Sequence, residues 1–363
     1  MNSERLISLD AFRGFTIAAM IMVNNPGTWS HVYAPLLHAK WHGLTPTDLI
    51  FPFFIFIVGV SIALAYSKRL KSGTPTYGMY KKVIFRSLKI FAVGIFLSLY
   101  PKFNFTDLRV AGVLQRIAVV FLICAILYLI TKWKTQAIIG VVLLVGYWLA
   151  MVLIPTPGIG TVSLEPGQNL AAWVDSFLLP GRMWQGTWDP EGLLSTLPAV
   201  ASGISGMLAG HIILSKEDQY KKVIWLFLAG FAAMLIGYIW SWNFPLNKNL
   251  WSSSFVMVTS GLAAMILASS IYIVDILGHT RGTKIGVIFG ANAISVYVLA
   301  GLLGYVFRRV EFFGGSVNTH MMDLFSGLGC GMKLASLCYS LFYIAVLFIP
   351  ALVLYRKKIF IKL

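Results

Sequence analysis

Apolar residues run through this chain in ten stretches of about twenty, at 6–25, 47–67, 83–101, 110–131, 135–154, 192–213, 222–243, 251–275, 285–307 and 334–355. A helix of about twenty residues crosses the hydrocarbon core of a bilayer. Inside lipid every backbone N–H and C=O must find a partner within the protein, so runs of this length are helices. The pattern predicts an all-α fold, a polytopic membrane helix bundle of about 10 transmembrane helices. No internal repeat, low-complexity tract or boundary for a second domain is visible, so residues 1–363 read as a single integral-membrane domain.

Composition agrees with the pattern. Hydrophobic residues make up 58% of the chain and charged residues 12%, whereas a soluble protein keeps roughly a quarter of its residues charged. The net charge of +16 resembles that of a nucleic-acid binder, but its distribution points elsewhere, and no nucleic-acid partner is expected. One alternating set of loops carries about 17 Lys and Arg, the other about 8, and the richer set marks the cytoplasmic side. Both termini are therefore expected in the cytoplasm, with the chain in a bacterial cytoplasmic (inner) membrane and the lipid bilayer as its first partner. Segments 26–46, 155–191 and 308–333 then face outward. Cys124, Cys330 and Cys338 show neither metal-ligand nor disulfide-framework spacing. Asp10 and Arg13 interrupt the first apolar run and no small-residue cleavage site follows, so that run reads as a retained helix.

Polar groups within the spans carry the functional signal, because a charge at the bilayer centre costs roughly 3 kcal/mol or more. Asp10 and Arg13 lie three apart on one helix face and read as a self-neutralising pair or as part of a site. Asn24 and Asn25 precede Pro26-Gly27; they either stop the first helix or present an amide to a substrate. Gln115 and Arg116 lie inside the fourth span, Arg116 roughly 9 Å past its outer end, where an arginine needs a partner or a polar cavity. Asn292 lies inside the ninth. Segment 155–191 is too long for a simple connection. It sets Glu165, Asp175, Asp189 and Glu191 beside Trp173, Trp184 and Trp188. Carboxylates and rings together suit a polar, cationic or sugar-like ligand; the tryptophans alone also suit an interfacial belt.

The densest polar cluster, H-A-K-W-H-G-L-T-P-T-D at 38–48, stands directly before an apolar run. If helical, it stacks His38 and His42 on one face. That spacing suits zinc, but the glutamate of H-E-x-x-H and a third ligand are missing, so no metal is expected. Asp48 either favours the start of the second helix or orients a histidine, as acids do in base–orienter pairs. Histidine titrates near neutrality and can take a proton there.

Five stretches, RLISLDAFRG at 5–14, HAKWHGLTPTDLIFPFFIF at 38–56, GVLQRIA at 112–118, WDPEGLLSTLPA at 188–199 and NKNLWSSSFV at 247–256, carry a family resemblance over almost the whole chain. It resembles the heparan-α-glucosaminide N-acetyltransferase family and its bacterial NagX-like relatives, multi-helix membrane enzymes that move acetyl from acetyl-CoA to the amine of a glucosamine. The resemblance implies that His38, which precedes the tryptophan of the W-x-G-L-T-x-x-D-L run, is catalytic, with Asn24 acting beside it and Asp48 orienting it. At His42 the chain departs from the animal members, where asparagine is expected. Trp41, His42, Gln115, Arg116, Asp189 and Glu191 become candidates for holding an amino-sugar acceptor. Arg13, Asn292, Lys68 and Arg69 become candidates for acetyl-CoA, although Lys68 and Arg69 are also explained by membrane orientation. A homodimer is a further implication. His38 serves either as general base or as a covalent acetyl carrier, and the residues leave both routes open.

Two rival readings fit the same polar groups: a transporter or flippase for an amino sugar, and the same acyltransferase scaffold acting on another cell-envelope glycan. Transport is the weaker of the two, since inverted halves with paired broken helices are not visible.

Overall fold

The computed structural model describes residues 6–70 and 73–361; Arg5, Lys71 and Lys362, which entered the charge balance, lie outside the described residues. Thirteen α-helices account for most of the described chain: α1 (Ile7–Asn24), α2 (Pro46–Leu70), α3 (Tyr77–Leu99), α4 (Val113–Ile130), α5 (Trp133–Leu153), α6 (Leu170–Leu178), α7 (Thr196–Leu214), α8 (Gln219–Trp240), α9 (Ser253–Ser270), α10 (Thr283–Ala291), α11 (Ala293–Arg309), α12 (Val317–Gly327) and α13 (Met332–Arg356). One short antiparallel pair, Glu311–Phe312 with Gly315–Ser316, joins α11 to α12. The fold is the expected all-α membrane bundle.

Among the described residues, eight helices are long and apolar enough to cross a membrane: α1, α2, α4, α5, α7, α8, α9 with its continuation to Ile276, and α13. Two of the ten predicted spans take a different form. α3 fills the third position but carries Lys81, Lys82, Arg86 and Lys89, so it lacks an uninterrupted apolar length. The ninth run is not one straight helix, because α10 and α11 meet at Asn292 with a bend of 81°. The cause is on the side chain. Asn292 Nδ2 donates to the Ile359 carbonyl at 3.0 Å, and Oδ1 accepts from the Ile361 N–H at 2.8 Å. The amide thus pairs with the backbone that follows α13, and this outside partner fixes the break.

Where the sequence showed no boundary, packing divides the chain into two compact units interleaved along it. The first comprises Met1–Ala39, Thr45–Phe51 and Ile273–Leu363; the second comprises Lys40–Leu44 and Pro52–Tyr272. One change of unit falls inside α2, at Pro52.

In the first unit α1 packs on α10, and α13 packs on both. The α1–α10 contact is made by glycine. A Cβ added to Gly14 would lie 1.7 Å from the Gly286 carbonyl oxygen, and one added to Gly290 would lie 2.2 Å from that of Asp10. The G-x-x-x-G spacing of Gly286 and Gly290 lets two backbones touch, which matters in lipid because helices there associate by close packing rather than by hydrophobic exclusion. In the second unit the same device joins α2 to α7, where a Cβ on Gly59 would lie 2.0 Å from the Gly203 oxygen and one on Gly206 2.0 Å from that of Phe56. α4 packs against α3 and α7, with Ser87 Oγ donating to the Ala118 carbonyl at 2.8 Å.

Candidate functional site

Residues 37–45 are not helical, so His38 and His42 do not share a helix face. The backbone donors of this stretch are used elsewhere, largely by Asp48. That residue sits in the first turn of α2 and is 1% exposed. Its Oδ2 accepts from the N–H of Ala39 at 3.1 Å and of Thr45 at 3.0 Å. The Thr45 contact is half of a capping box, an acid three residues into the helix reaching back to the N-cap. Its Oδ1 lies 2.7 Å from His38 Nδ1. The two roles offered by the sequence are therefore filled at once, one oxygen closing the helix and the other holding the histidine. With backbone donors on Oδ2, the group is an acceptor throughout, so Nδ1 of His38 carries the proton and the lone pair of the neutral ring is on Nε2. The His38 side chain is 43% exposed. It is an oriented imidazole that solutes can reach.

In the second unit, Trp41 and His42 are held by two distant loops. Trp41 Nε1 donates to the Leu164 carbonyl at 3.0 Å, and its ring meets Trp188 edge-on at 5.0 Å. Gly43, at φ 122°, donates its N–H to the Leu246 carbonyl at 2.8 Å. His42 Nδ1 lies 3.3 Å from Asn247 Nδ2. Burial draws the His42 imidazole below its ordinary range, partly opposed by the charge of Glu165, so the ring is neutral at pH 7.

The WDPEGLLS stretch winds around two arginines. Arg109 donates Nε to Asp189 Oδ2 at 2.7 Å and Nη2 to Asp189 Oδ1 and Glu191 Oε2, both at 2.6 Å. Its guanidinium stacks on Trp184 at 4.9 Å. Asp189 accepts in addition from the N–H groups of Trp184 and Glu191. Burial works against the charge on Arg109, but the Asp189 hydrogen bonds and the Glu191 charge outweigh it and hold the group above its ordinary range. Burial likewise works against the Asp189 carboxylate, and Arg109 reverses this, holding it below the usual range. The cation that Asp189 and Glu191 bind is thus internal. Arg116, 2% exposed, donates Nη2 to the Gly192 carbonyl at 2.9 Å and to Ser195 Oγ and stacks on Trp251 at 5.1 Å. Asp175 accepts the Leu193 N–H at 2.7 Å; burial pushes it up to about 6 against the opposing backbone donors of Leu193 and Leu194 and the charge of Arg116. Gly192 is fixed by contact, since a Cβ there would lie 1.7 Å from Asp175 Oδ2. Gln115 is buried, its Oε1 against Gly94 and Gly112.

The remaining candidates are dispersed. Asn24 ends α1, exposed, with no hydrogen bond joining it to His38 or Asp48. Arg13 Nη1 donates to Asp10 Oδ1 at 3.2 Å, the self-neutralising geometry. Asn292 is committed to the backbone of Ile359 and Ile361. Lys68 and Arg69 are exposed in the last turn of α2, Arg69 lying over Tyr66 at 5.5 Å. Among the described residues no cluster of three or more His, Cys, Asp or Glu is arranged to hold a metal ion. Sequence reasoning missed Thr45, Asn247 and Arg109 as partners. The T-x-x-D spacing before an apolar run was a usable capping signal for Thr45; the other two partners stand 205 and 80 residues from theirs, and no local pattern announces them.

Comparison with known proteins adds a family model described as heparan-alpha-glucosaminide N-acetyltransferase, catalytic, which matches residues 5–223. The Homo sapiens protein named heparan-alpha-glucosaminide N-acetyltransferase is 30% identical over 358 residues, covering 81% of this chain and 52% of that protein. The Mus musculus protein of the same name is 28% identical over 361 residues, covering 82% and 53%. The chain spans about half the length of these curated relatives.

Proposed function

The chain belongs to the heparan-alpha-glucosaminide N-acetyltransferase family, and on that premise we propose that it moves the acetyl group of acetyl-CoA to the amine of a glucosamine or terminal glucosaminide. The observation that carries this reading is the 2.7 Å contact of His38 Nδ1 with the buried Asp48, which puts the lone pair of the neutral ring on Nε2. Two routes use it. In the direct route Nε2 takes a proton from the acceptor as its nitrogen attacks the thioester carbonyl; the C–S bond breaks and the CoA sulfur takes up a proton. In the stepwise route Nε2 itself attacks, CoA thiol leaves, and the amine then displaces the imidazole from the acetyl group. In both, Asp48 stabilises the cationic ring that forms. Asn24 is the proposed amide donor to the developing oxyanion. Trp41 and His42 hold the acceptor, while Lys68 and Arg69 meet the CoA phosphates. Arg13 and Asn292 have no part in this scheme, being engaged by Asp10 and by the C-terminal backbone.

In this proposal the chain lies in a cytoplasmic membrane with both termini on the cytoplasmic side. Acetyl-CoA then arrives from the cytoplasm and the acceptor from outside. The test uses detergent-purified protein, following thiol release from acetyl-CoA and N-acetylglucosamine formation for wild type and His38→Ala. Loss of about 100-fold or more in the variant is expected for a base or nucleophile. Equal rates in both proteins would remove His38 from the chemistry. Thiol release that requires a different glycan would keep the acyltransferase and change its acceptor. Uptake of labelled glucosamine without consumption of acetyl-CoA would leave a transporter.

A further inference from the structure

The two histidines of H-A-K-W-H are held in opposite protonation patterns, each by a partner inside its own unit. For His42 the argument starts at Asn247, which is 0% exposed. Asn247 Oδ1 accepts the Leu250 N–H at 2.9 Å, so that atom is the oxygen and the other is the amide nitrogen. The backbone of the residue is held as well, its own N–H donating to Ser252 Oγ at 3.1 Å. An amide nitrogen has no lone pair to offer, so it donates to His42 Nδ1. Nδ1 is therefore bare, and the proton of the neutral ring is on Nε2. His42 is exposed, and among the described residues its Nε2 has no partner.

The surroundings of that N–H match one class of ligand. The Trp41 ring lies 6.1 Å from the His42 ring and meets the Trp188 ring edge to face at 5.0 Å. Glu165, exposed, follows directly on Leu164, whose carbonyl holds the Trp41 indole. A free hexosamine is an ammonium ion at neutral pH with several oxygen acceptors on its ring. Rings and a carboxylate attract the cation, and a fixed N–H recognises a hydroxyl or ring oxygen. We propose that His42 donates from Nε2 to the acceptor sugar, with Trp41 and Trp188 flanking the ring, Glu165 drawing its ammonium group, and Asn247 acting as the positioning residue that keeps the proton on Nε2. This deepens the acetyl-transfer reading and rests on it for the identity of the sugar.

The decisive variant is Asn247→Asp. It keeps an oxygen for the Leu250 N–H but turns the other atom into an acceptor, which forces the His42 proton onto Nδ1. The expected result is a rise of about ten-fold in KM for glucosamine, the worth of one hydrogen bond, larger than any change in KM for acetyl-CoA. His42→Ala matches it, and His42→Asn, which restores an N–H donor, returns KM to within about three-fold of wild type. Glucosamine binding, read by tryptophan fluorescence without acetyl-CoA, weakens in parallel in Asn247→Asp and His42→Ala. In ¹⁵N-histidine NMR, the signal absent from His42→Asn identifies His42; it reports Nε2–H in wild type and Nδ1–H in Asn247→Asp. Nδ1–H in wild type, or unchanged glucosamine KM and binding in both Asn247→Asp and His42→Ala, would overturn the proposal. Glucosamine binding that depends on His42 and Asn247 without any acetyl transfer would instead sink the proposed activity and leave this subsite standing. Absence of both binding and transfer of glucosamine would overturn the two together.

Discussion

Asp48 serves a helix and a histidine with one carboxylate, and its substitution by asparagine separates the two duties. Oδ2 faces two backbone N–H groups, so an asparagine must put its oxygen there and its NH₂ toward His38. The imidazole then accepts at Nδ1 and carries its proton on Nε2, where the lone pair is needed. Asp48→Asn is expected to fold and to lose about 10³–10⁴-fold in acetyl-transfer kcat, as wrong-tautomer variants of histidine enzymes do; loss of less than ten-fold, with circular dichroism unchanged, would mean the tautomer is irrelevant. Asp175 gives a different signature. Its folded-state value of about 6 lies above the ordinary 3.8, so the folded protein holds the proton more tightly than the unfolded chain. Stability from this residue therefore rises as pH falls through 6, by up to about 1.4 kcal/mol per unit, until near 3.8 the unfolded chain also takes the proton. Against Asp175→Asn, which keeps an acceptor for Leu193, thermal unfolding in detergent is expected to show the variant more stable at pH 7 and the difference shrinking as pH falls from about 6 towards about 4. Residue identity at the site was legible because H-A-K-W-H-G-L-T-P-T-D packs its functional groups into eleven positions. The tautomers were not legible, because they are decided by Asn247 and by which oxygen of Asp48 faces which donor.

At the scale of elements, apolar length was a sound guide to where helices lie and a poor guide to whether they stay straight. The bend between α10 and α11 depends on Ile359 and Ile361, 67 and 69 residues beyond Asn292, and periodicity has no access to such a partner. The same holds for the WDPEGLLS loop, which takes its form from Arg109, Arg116 and Asp175. Arg109→Ala leaves Asp189 and Glu191 facing each other without their cation. Breaking a buried pair in this way is expected to cost about 3–5 kcal/mol, visible as a large drop in unfolding temperature; a shift of a degree or less would mean the clasp is dispensable. Gly290→Ala tests the α1–α10 contact. Its Cβ would be 2.2 Å from the Asp10 carbonyl oxygen, so the backbones must separate, at about 1–3 kcal/mol for an overpacked contact. Gly146→Ala, where a Cβ would meet nothing within 4 Å, is the neutral control in the same unfolding measurement.

For the whole molecule, the charge balance makes a statement about sidedness that labelling can check. With Cys330 and Cys338 changed to serine, a cysteine replacing exposed Gln185 is expected to react with an impermeant maleimide in intact cells, and one replacing exposed Lys216 only after lysis; the reverse result would invert the topology. The interleaving of the two units has a bearing on how the chain is made. Gly14 and its packing partner Gly286 are separated by about 270 residues, and a ribosome adds about 5–20 residues each second. The first helix therefore waits in the bilayer for tens of seconds, its glycine face uncovered and its Asp10–Arg13 pair in place, before the partner it is shaped for emerges. In the second unit the corresponding glycine contact, Gly59 with Gly203, joins residues about 144 apart and waits roughly half as long. Biogenesis of this protein is a matter of timing as much as of insertion: whatever shields α1 during that interval, be it lipid, translocon or chaperone, decides what fraction of chains reaches the native fold.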